Sequence, residues 1–517
     1  VVTPAELHAL ATRLTTLLDA DPAEAVRQAR AIDLPRTGAA RWRAASLRAS
    51  ILIDGRAGSG EAIEEAVALF REVHAARPQA ATSYNLANAL AARAKRPPDD
   101  ETWLDHQERT REARAEARRL YWAAAHDDAA DLTIRTEAWT NLANQFSYTY
   151  RLGEAHDARL AALAIDPRNG VAAGLAALDL LWLYEQGGCS ELTRIEAGLL
   201  AKVAREHEAR VRELAGAKVA ARLAALADEL GEAPERAEHI DPFLRWIERE
   251  RLTLAPAVEL VDPSLGKVDW LMLPGIMERE TPPETTKPPP VFAMFNVLKA
   301  DFIVARDLAW RASSDTGWPA TGRFADTLDF ATYGPGASAL TLAHRTTLDL
   351  LDKVAVAANH HFGFGVPHDD VSFGKLWRPK ATRKNRAQPL SDRVATAIRA
   401  GAYALYGLAE LADDYEADGA ILRSHKDLRN AGTHRFVVLH DPGDPTDVRE
   451  SPEIAHHGRE RFVREVLRAL RVARSAIQML TLAIRQHERT LALGTSGLVG
   501  TLVMPDYDED AVRYGEE

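Results

Sequence analysis

Cysteine is nearly missing. Cys189 stands alone in a chain of 517 residues, so no internal disulfide framework can form and a reducing, cytoplasmic setting is expected. Long apolar runs are missing too: no stretch of about 18 residues goes without a charge, which argues against a membrane span. The opening "VVTPAELHALATRL" reads as an amphipathic helix, not as a basic region followed by an apolar block, so no secretion signal is expected. Positive charge is in deficit. A net charge of −11 argues against indiscriminate coating of nucleic acid but leaves room for a local basic groove. The phosphate-cradling GxxxxGK[ST] loop is absent, because "SLGKVD" and "SFGKLW" lack the leading glycine spacing and the hydroxyl. No HExxH and no paired CxxC occur, and the thiol in "EQGGCSEL" has no histidine nearby to activate it. ATP hydrolysis, metalloprotease chemistry and thiol catalysis are therefore poor readings.

What is present is the composition of a globular protein, 46% hydrophobic and 27% charged, in a chain too long for one ordinary core. The first half repeats itself. "SYNLANAL" (83–90) and "WTNLANQF" (139–146) share the tetrapeptide Asn-Leu-Ala-Asn. In 138–169, Trp139, Leu142, Ala143, Phe146, Ala155, Ala162 and Pro167 resemble the aromatic, small and terminal proline positions of a tetratricopeptide (TPR) repeat. "EAIEEAVALFREVHAARP" (61–78) is similar to the second helix of another repeat. Such units cannot bury an apolar face alone and must stack. The offset between the two tetrapeptides exceeds one repeat, so 96–135 is expected to be an insertion or a degenerate repeat. Helices at 171–186 and 194–230 continue the array.

The second half follows "MERETPPETTKPPP" (277–290), whose prolines predict an extended, exposed linker. Helical periodicity then returns over 291–312, 339–362, 392–415 and 460–486. The last carries a stripe of Phe462, Val466, Leu470, Ala473, Ile477, Leu480 and Ile484 at the 3.6-residue period. Four helices with loops between them predict a bundle. Between the third and fourth lies "DLRNAGTHRF" (427–436). On a helix Asn430 and His434 share a face, the long side chain of Arg429 reaches the same pocket, and Gly432 leaves room for close approach.

Arg429, a polar residue, three more residues and His434, placed after the third helix of a bundle, resemble the signature of the HEPN superfamily (higher eukaryotes and prokaryotes nucleotide-binding). "TLDLLDKVA", "VSFGKLW" and "LRNAGTHR" in that order are similar to a bacterial branch fused to TPR-type repeats. The resemblance covers roughly 290–490, with the repeats over 45–230. It implies an all-α fold: an N-terminal TPR-like helical array (1–240), a connecting segment with the proline-rich linker (241–290), a HEPN-type four-helix bundle (291–490) and an acidic tail (491–517).

The resemblance also implies a metal-independent endoribonuclease, paired as a homodimer through the HEPN part so that both motifs line one groove. RNA carries its own nucleophile, the 2′-hydroxyl. A histidine near its ordinary pKa transfers protons, and a guanidinium stabilises charge on the phosphate. His434 is assigned to proton transfer, Arg429 to phosphate stabilisation, and Asn430 to orienting His434 or binding phosphate. No cofactor is expected. A TPR-like half suggests a protein or peptide trigger, or an antitoxin, bound to the array, in a bacterial toxin or anti-phage effector. The alternative is a non-catalytic scaffold that binds protein or nucleotide partners.

Other features are weighed against bland readings. "KLWRPKATRKNR" (375–386) offers Lys375, Arg378, Lys380, Arg383, Lys384 and Arg386 to an RNA backbone, with Trp377 for base stacking, or is a solvated loop. Arg461, Arg464, Arg468 and Arg471 form a ridge on the fourth helix that reads as its wet face or as a phosphate contact. Asp349 and Lys353 read as a surface ion pair, or as support for His434. His360, His361, His368, Asp369 and Asp370 crowd into "NHHFGFGVPHDD", but at no standard zinc spacing, so a polar turn is preferred. His456 and His457 carry no clear signal.

Overall fold

The computed structural model describes residues 4–494 except 56–59, 96–99, 188, 232–240, 256–268, 278–286, 315–317, 319–321, 380–387, 426–427, 429–434 and 446. The described residues form an all-α fold with one small sheet. Among them, no helix is long and apolar enough to cross a membrane.

Helical hairpins stack through the first half. They are α1 (Pro4–Ala20) with α2 (Pro22–Arg30), α3 (Gly38–Asp54) with α4 (Gly60–Ala76), α5 (Ala80–Arg93) with α6 (Trp103–Ala125), α7 (Leu132–Ser147) with α8 (Leu152–Ile165), and α9 (Gly170–Gln186) with α10 (Glu191–Glu206), followed by α11 (Glu208–Ala215) and α12 (Ala217–Leu230). Local chemistry sets the boundaries. Side chains of Asp21, Asp131 and Asn169 accept from the backbone amides of Glu24, Thr133 and Ala172 and so cap α2, α7 and α9. Gly187 and Gly216, at φ of 83° and 88°, stop α9 and α11.

The two Asn-Leu-Ala-Asn segments sit alike on α5 and α7. Leu86, Ala87, Leu142 and Ala143 are buried, and the asparagines face a groove. The long offset between the segments comes from a lengthened unit: α6 is a 23-residue helix that completes the hairpin begun by α5. Among the described residues, the segment expected to be an insertion or a degenerate repeat thus holds the extended second helix of one hairpin.

The second half is built on α14 (Pro290–Ser313), α15 (Pro335–His361) and α18 (Arg459–Gly494), after the short α13 (Pro242–Glu250). Every residue of the stripe expected on the last helix is buried. On α15 Leu348, Leu351, Val354 and Ala358 are buried, whereas Leu342, expected with them, is 48% exposed. The helix expected over 392–415 is divided into α16 (Asp392–Arg399) and α17 (Ala404–Glu416). The cause is Gly401, at φ 104°, where a Cβ would stand 2.4 Å from Oγ1 of Thr490. The break frees the amide of Ala404, which donates to Oε1 of Gln486 at 2.9 Å.

Helical periodicity alone did not anticipate the sheet. β1 (Ala331–Thr332) pairs antiparallel with β2 (Phe436–His440), and β2 pairs parallel with β3 (Ile454–Gly458), in register Phe436↔Ile454 to His440↔Gly458.

One apolar cluster runs through both halves, from Leu86 and Leu142 to Leu405, Leu408 and Ile477. At its centre α6 and the α7–α8 corner meet α17. Arg114 donates to Glu410 at 2.8 Å and to the Tyr406 hydroxyl at 3.1 Å. Arg118 pairs with Glu410 at 2.8 Å and with Asp414 at 2.9 Å. Arg151 donates to Asp414 at 2.6 Å, and Thr149 to Glu410 at 2.8 Å. Burial alone would raise the Glu410 carboxyl, but Arg118, Arg114 and Arg151 hold it at about 2. The connecting segment is packed as well: Gln478 of α18 donates to the carbonyls of Leu254 and Ala255 at 3.0 and 2.9 Å, and Arg306 of α14 binds Asp269 at 2.7 Å.

Candidate functional site

Arg429, Asn430 and His434 lie outside the described residues, as do Lys380, Arg383, Lys384 and Arg386. The structure places what flanks the motif. After α17 the chain turns, with the Leu422 amide donating to the Asp414 carbonyl at 3.1 Å and Arg423 to the Glu416 carbonyl at 2.7 Å. It reaches His425, which is 1% exposed. Beyond the motif, Arg435 and Phe436 are exposed, and β2 then enters the sheet.

Histidines from separate elements gather around His425 and Phe462. The ring of His344, on α15, lies 6.0 Å from that of His425 and 5.6 Å from that of Phe462, in the second turn of α18. His457, near the end of β3, lies 5.8 Å from Phe462. Nε2 of His425 is 3.5 Å from Oε2 of Glu465. Further along the sheet, His440 donates from Nδ1 to the Asp329 carbonyl at 2.9 Å, which leaves Nε2 as the acceptor for Nδ1 of His456 at 2.8 Å.

Burial decides the charge of His344, His425 and His457. It pushes His344 down to about 4, with His457 adding to the effect. It takes His425 well below the ordinary histidine range, helped by Arg468, His344 and Arg471. His457 is lowered by burial and then by Arg461. These imidazoles are therefore neutral at pH 7 and serve as packing groups. Sequence reasoning missed His344, His425 and His440. They come from α15, the turn after α17, and β2, so no local spacing links them.

The arginine ridge on α18 divides. Arg461 and Arg464 are exposed, with side chains 64% and 70% accessible. Arg468 instead lies over the Trp122 ring of α6, 4.1 Å from its centroid, and Arg471 reaches the Glu250 carboxylate at 3.6 Å. The exposed pair stands at the N-terminal end of α18, whose helix dipole also favours an anion.

Of the residues expected to contact RNA, Lys375 is exposed. Arg378 requires a correction. It is 8% exposed and binds Glu108 of α6 at 2.9 Å and Asp413 of α17 at 3.0 Å, so its guanidinium joins the two halves and is not presented to a phosphate. Trp377 is corrected likewise: at 1% exposed, packed against Phe373, it offers no face to a base. Asp349 is exposed on α15, and Lys353 pairs with Asp301 of α14.

The groove of the array is a second candidate. A cleft of about 540 Å³ is lined by Asn85, Asn88, Asn141 and Asn144, together with Tyr121 and Lys95. Asn88 Oδ1 accepts from the Tyr121 hydroxyl at 2.7 Å and from Asn141 Nδ2 at 3.0 Å. Tyr121 belongs to α6, the helix that carries Arg114 and Arg118 into the ion network.

Among known families, residues 282–487 match the family model described as LA2681-like HEPN. No curated protein matches the chain.

Proposed function

Taking residues 282–487 as an LA2681-like HEPN domain, we propose that this protein is a metal-independent endoribonuclease restrained by its helical array. The observation that carries the reading is the position of Arg429, Asn430 and His434. They fall within the matched segment, in the stretch that leads from buried His425 to β2. His434 takes the proton of an RNA 2′-hydroxyl, whose oxygen attacks the adjacent phosphorus, or protonates the departing 5′-oxygen. The bond from phosphorus to that oxygen breaks, leaving a 2′,3′-cyclic phosphate and a 5′-hydroxyl. Arg429 stabilises the charge that builds on the non-bridging oxygens, and Asn430 orients the imidazole. Two copies pair so that their motifs share one groove. Exposed Arg435, Arg461, Arg464 and Lys375 suit the approach of a polyanion.

The array gives this activity a sensor. A peptide or protein in the asparagine-lined cleft would press on Tyr121, and α6 carries that strain to Glu410 and Asp414 on α17. Such wiring fits a toxin or an anti-phage effector that is silent until triggered.

The test is a mixed RNA pool incubated with the full-length protein in EDTA. Cleavage to cyclic-phosphate ends, lowered by about a hundredfold or more in His434→Ala and in Arg429→Ala, is expected. Equal cleavage by wild type and both variants refutes the assignment. Absence of cleavage with every candidate trigger leaves the scaffold reading in its place.

A further inference from the structure

A separate group of side chains converges near the C-terminal end of α18. His361 closes α15, and His487 and Glu488 lie in the last part of α18. Nε2 of His361 is 3.3 Å from Oε1 of Glu488, and Nδ1 of His487 is 3.9 Å from the same oxygen. All three ligand atoms lie within 4.8 Å of one another. The His361, His487 and Glu488 side chains are only 7%, 16% and 6% exposed. The two rings stand nearly perpendicular, at 84°, so their nitrogens converge without stacking.

The second carboxylate oxygen is already held, since Glu488 Oε2 accepts from the Met277 amide at 2.9 Å. That contact fixes the carboxylate so that Oε1 faces the imidazoles, as an outer partner orients a metal ligand. Nε2 of His361 is buried without a well-aligned hydrogen bond. An ionised carboxylate this deep needs a compensating cation.

We propose that His361, His487 and Glu488 form a binding site for one divalent transition-metal ion of the zinc class, structural in role, that ties the end of α15 to α18. Ligands bound to one tetrahedral ion at ~2.0–2.2 Å lie roughly 3.3–3.5 Å apart. The observed 3.3 and 3.9 Å approach that spacing, and with the remaining separation within 4.8 Å a side-chain shift of up to about 1.5 Å closes the site. Two imidazoles and one carboxylate suit zinc and its neighbours, whereas magnesium and calcium demand oxygen-rich shells. Water supplies the fourth ligand. The partners of His361 come from α18, not from its own histidine-rich run, where His368 pairs with Asp369 at the surface, 3.2 Å away.

The site is remote from Phe462 and the neutral histidines around it. Phe462 and His487 are separated by about 37 Å of helix at ~1.5 Å per residue. Cleavage that survives brief chelation and a melting point that depends on metal are therefore compatible.

Full-length protein stripped with EDTA and dialysed is titrated with Co²⁺ and then with Zn²⁺. One Co²⁺ per chain with tetrahedral visible absorption is expected, displaced by Zn²⁺, with a rise of several degrees in melting temperature. His487→Ala is expected to weaken cobalt binding at least tenfold while melting like the stripped wild type. Should His487→Ala fail to fold, Glu488→Gln, which keeps the side chain's shape, is expected to show the same loss of absorption. A stoichiometry far below one in the wild type, or unchanged cobalt absorption in Glu488→Gln, overturns the proposal.

Discussion

Arg118 and Asp414 are 296 positions apart in the chain, yet they meet through hydrogen bonds of 2.9 and 3.2 Å. Their side chains are 0% and 3% exposed. Three arginines from the array and two carboxylates from α17 form one buried network there, so each member depends on the others. Asp414→Ala is expected to destabilise the chain by about 3–5 kcal/mol, because it strands buried guanidinium charge. Replacing both partners, Arg118→Leu with Asp414→Leu, is expected to cost less than Asp414→Ala alone. Chemical denaturation of the two variants against wild type checks the order, and a larger loss in the double variant contradicts it.

Acid is expected to weaken the fold from about pH 6.5 downward through its buried histidines. His344 titrates at about 4 in the folded chain because burial, then His457, disfavours its cation. The unfolded chain takes up that proton near 6.5. The folded pKa is the lower one, so full stability holds above pH 6.5 and is lost as pH falls towards 4, by on the order of 1.4 kcal/mol per unit. His425 shifts in the same direction. Melting temperatures from pH 7.5 to 4.5 should therefore fall, and the slope should flatten in His344→Phe. An equal slope in that variant places the acid sensitivity elsewhere.

Arg378 and Lys375 are close in sequence and are expected to behave oppositely. Arg378→Ala removes the ties to Glu108 and Asp413 and should lower stability by about 3 kcal/mol or more. Lys375→Ala should leave the melting point in place and weaken RNA binding, with a shallower salt dependence. A salt titration of RNA affinity alongside a melt distinguishes them.

Gly401→Ala is expected to destabilise by more than about 1 kcal/mol, since its φ of 104° disfavours a side chain and the new Cβ would meet Thr490. Thr490→Ala in the same chain should recover part of the loss by removing the clash, leaving the backbone cost. Thermal melts of both chains decide this.

Where one helix carries its own pattern, the fold was legible in the sequence. The stripe from Phe462 to Ile484 and the twin asparagine tetrapeptides mark buried and groove-facing positions that the structure repeats. Breaks and long-range pairings were not legible. The apolar period runs on through Gly401, and only Thr490, on another helix, explains why the chain bends there. The "FVVLH" of β2 is a run too short to declare itself a strand beside so many helices. Glu410 and Asp414, one turn apart on α17, gave no local sign of their partners, which lie in the other half of the chain. At the candidate site, Arg429, Asn430 and His434 were legible as a chemical pattern, whereas the neutral histidines around Phe462 became neighbours only through folding.

The shared ion network also governs how the two halves can be studied. A fragment beginning after the array would expose Glu410 and Asp414 on one face of α17 without Arg114, Arg118 and Arg151 to neutralise them. Like charges on that bared surface would repel, and Tyr406 and its apolar neighbours would be wetted. Inactivity of such a fragment would report a damaged surface and not the loss of an activator. Point changes at Tyr121 or Asn88, inside the intact chain, are the cleaner test of the proposed restraint.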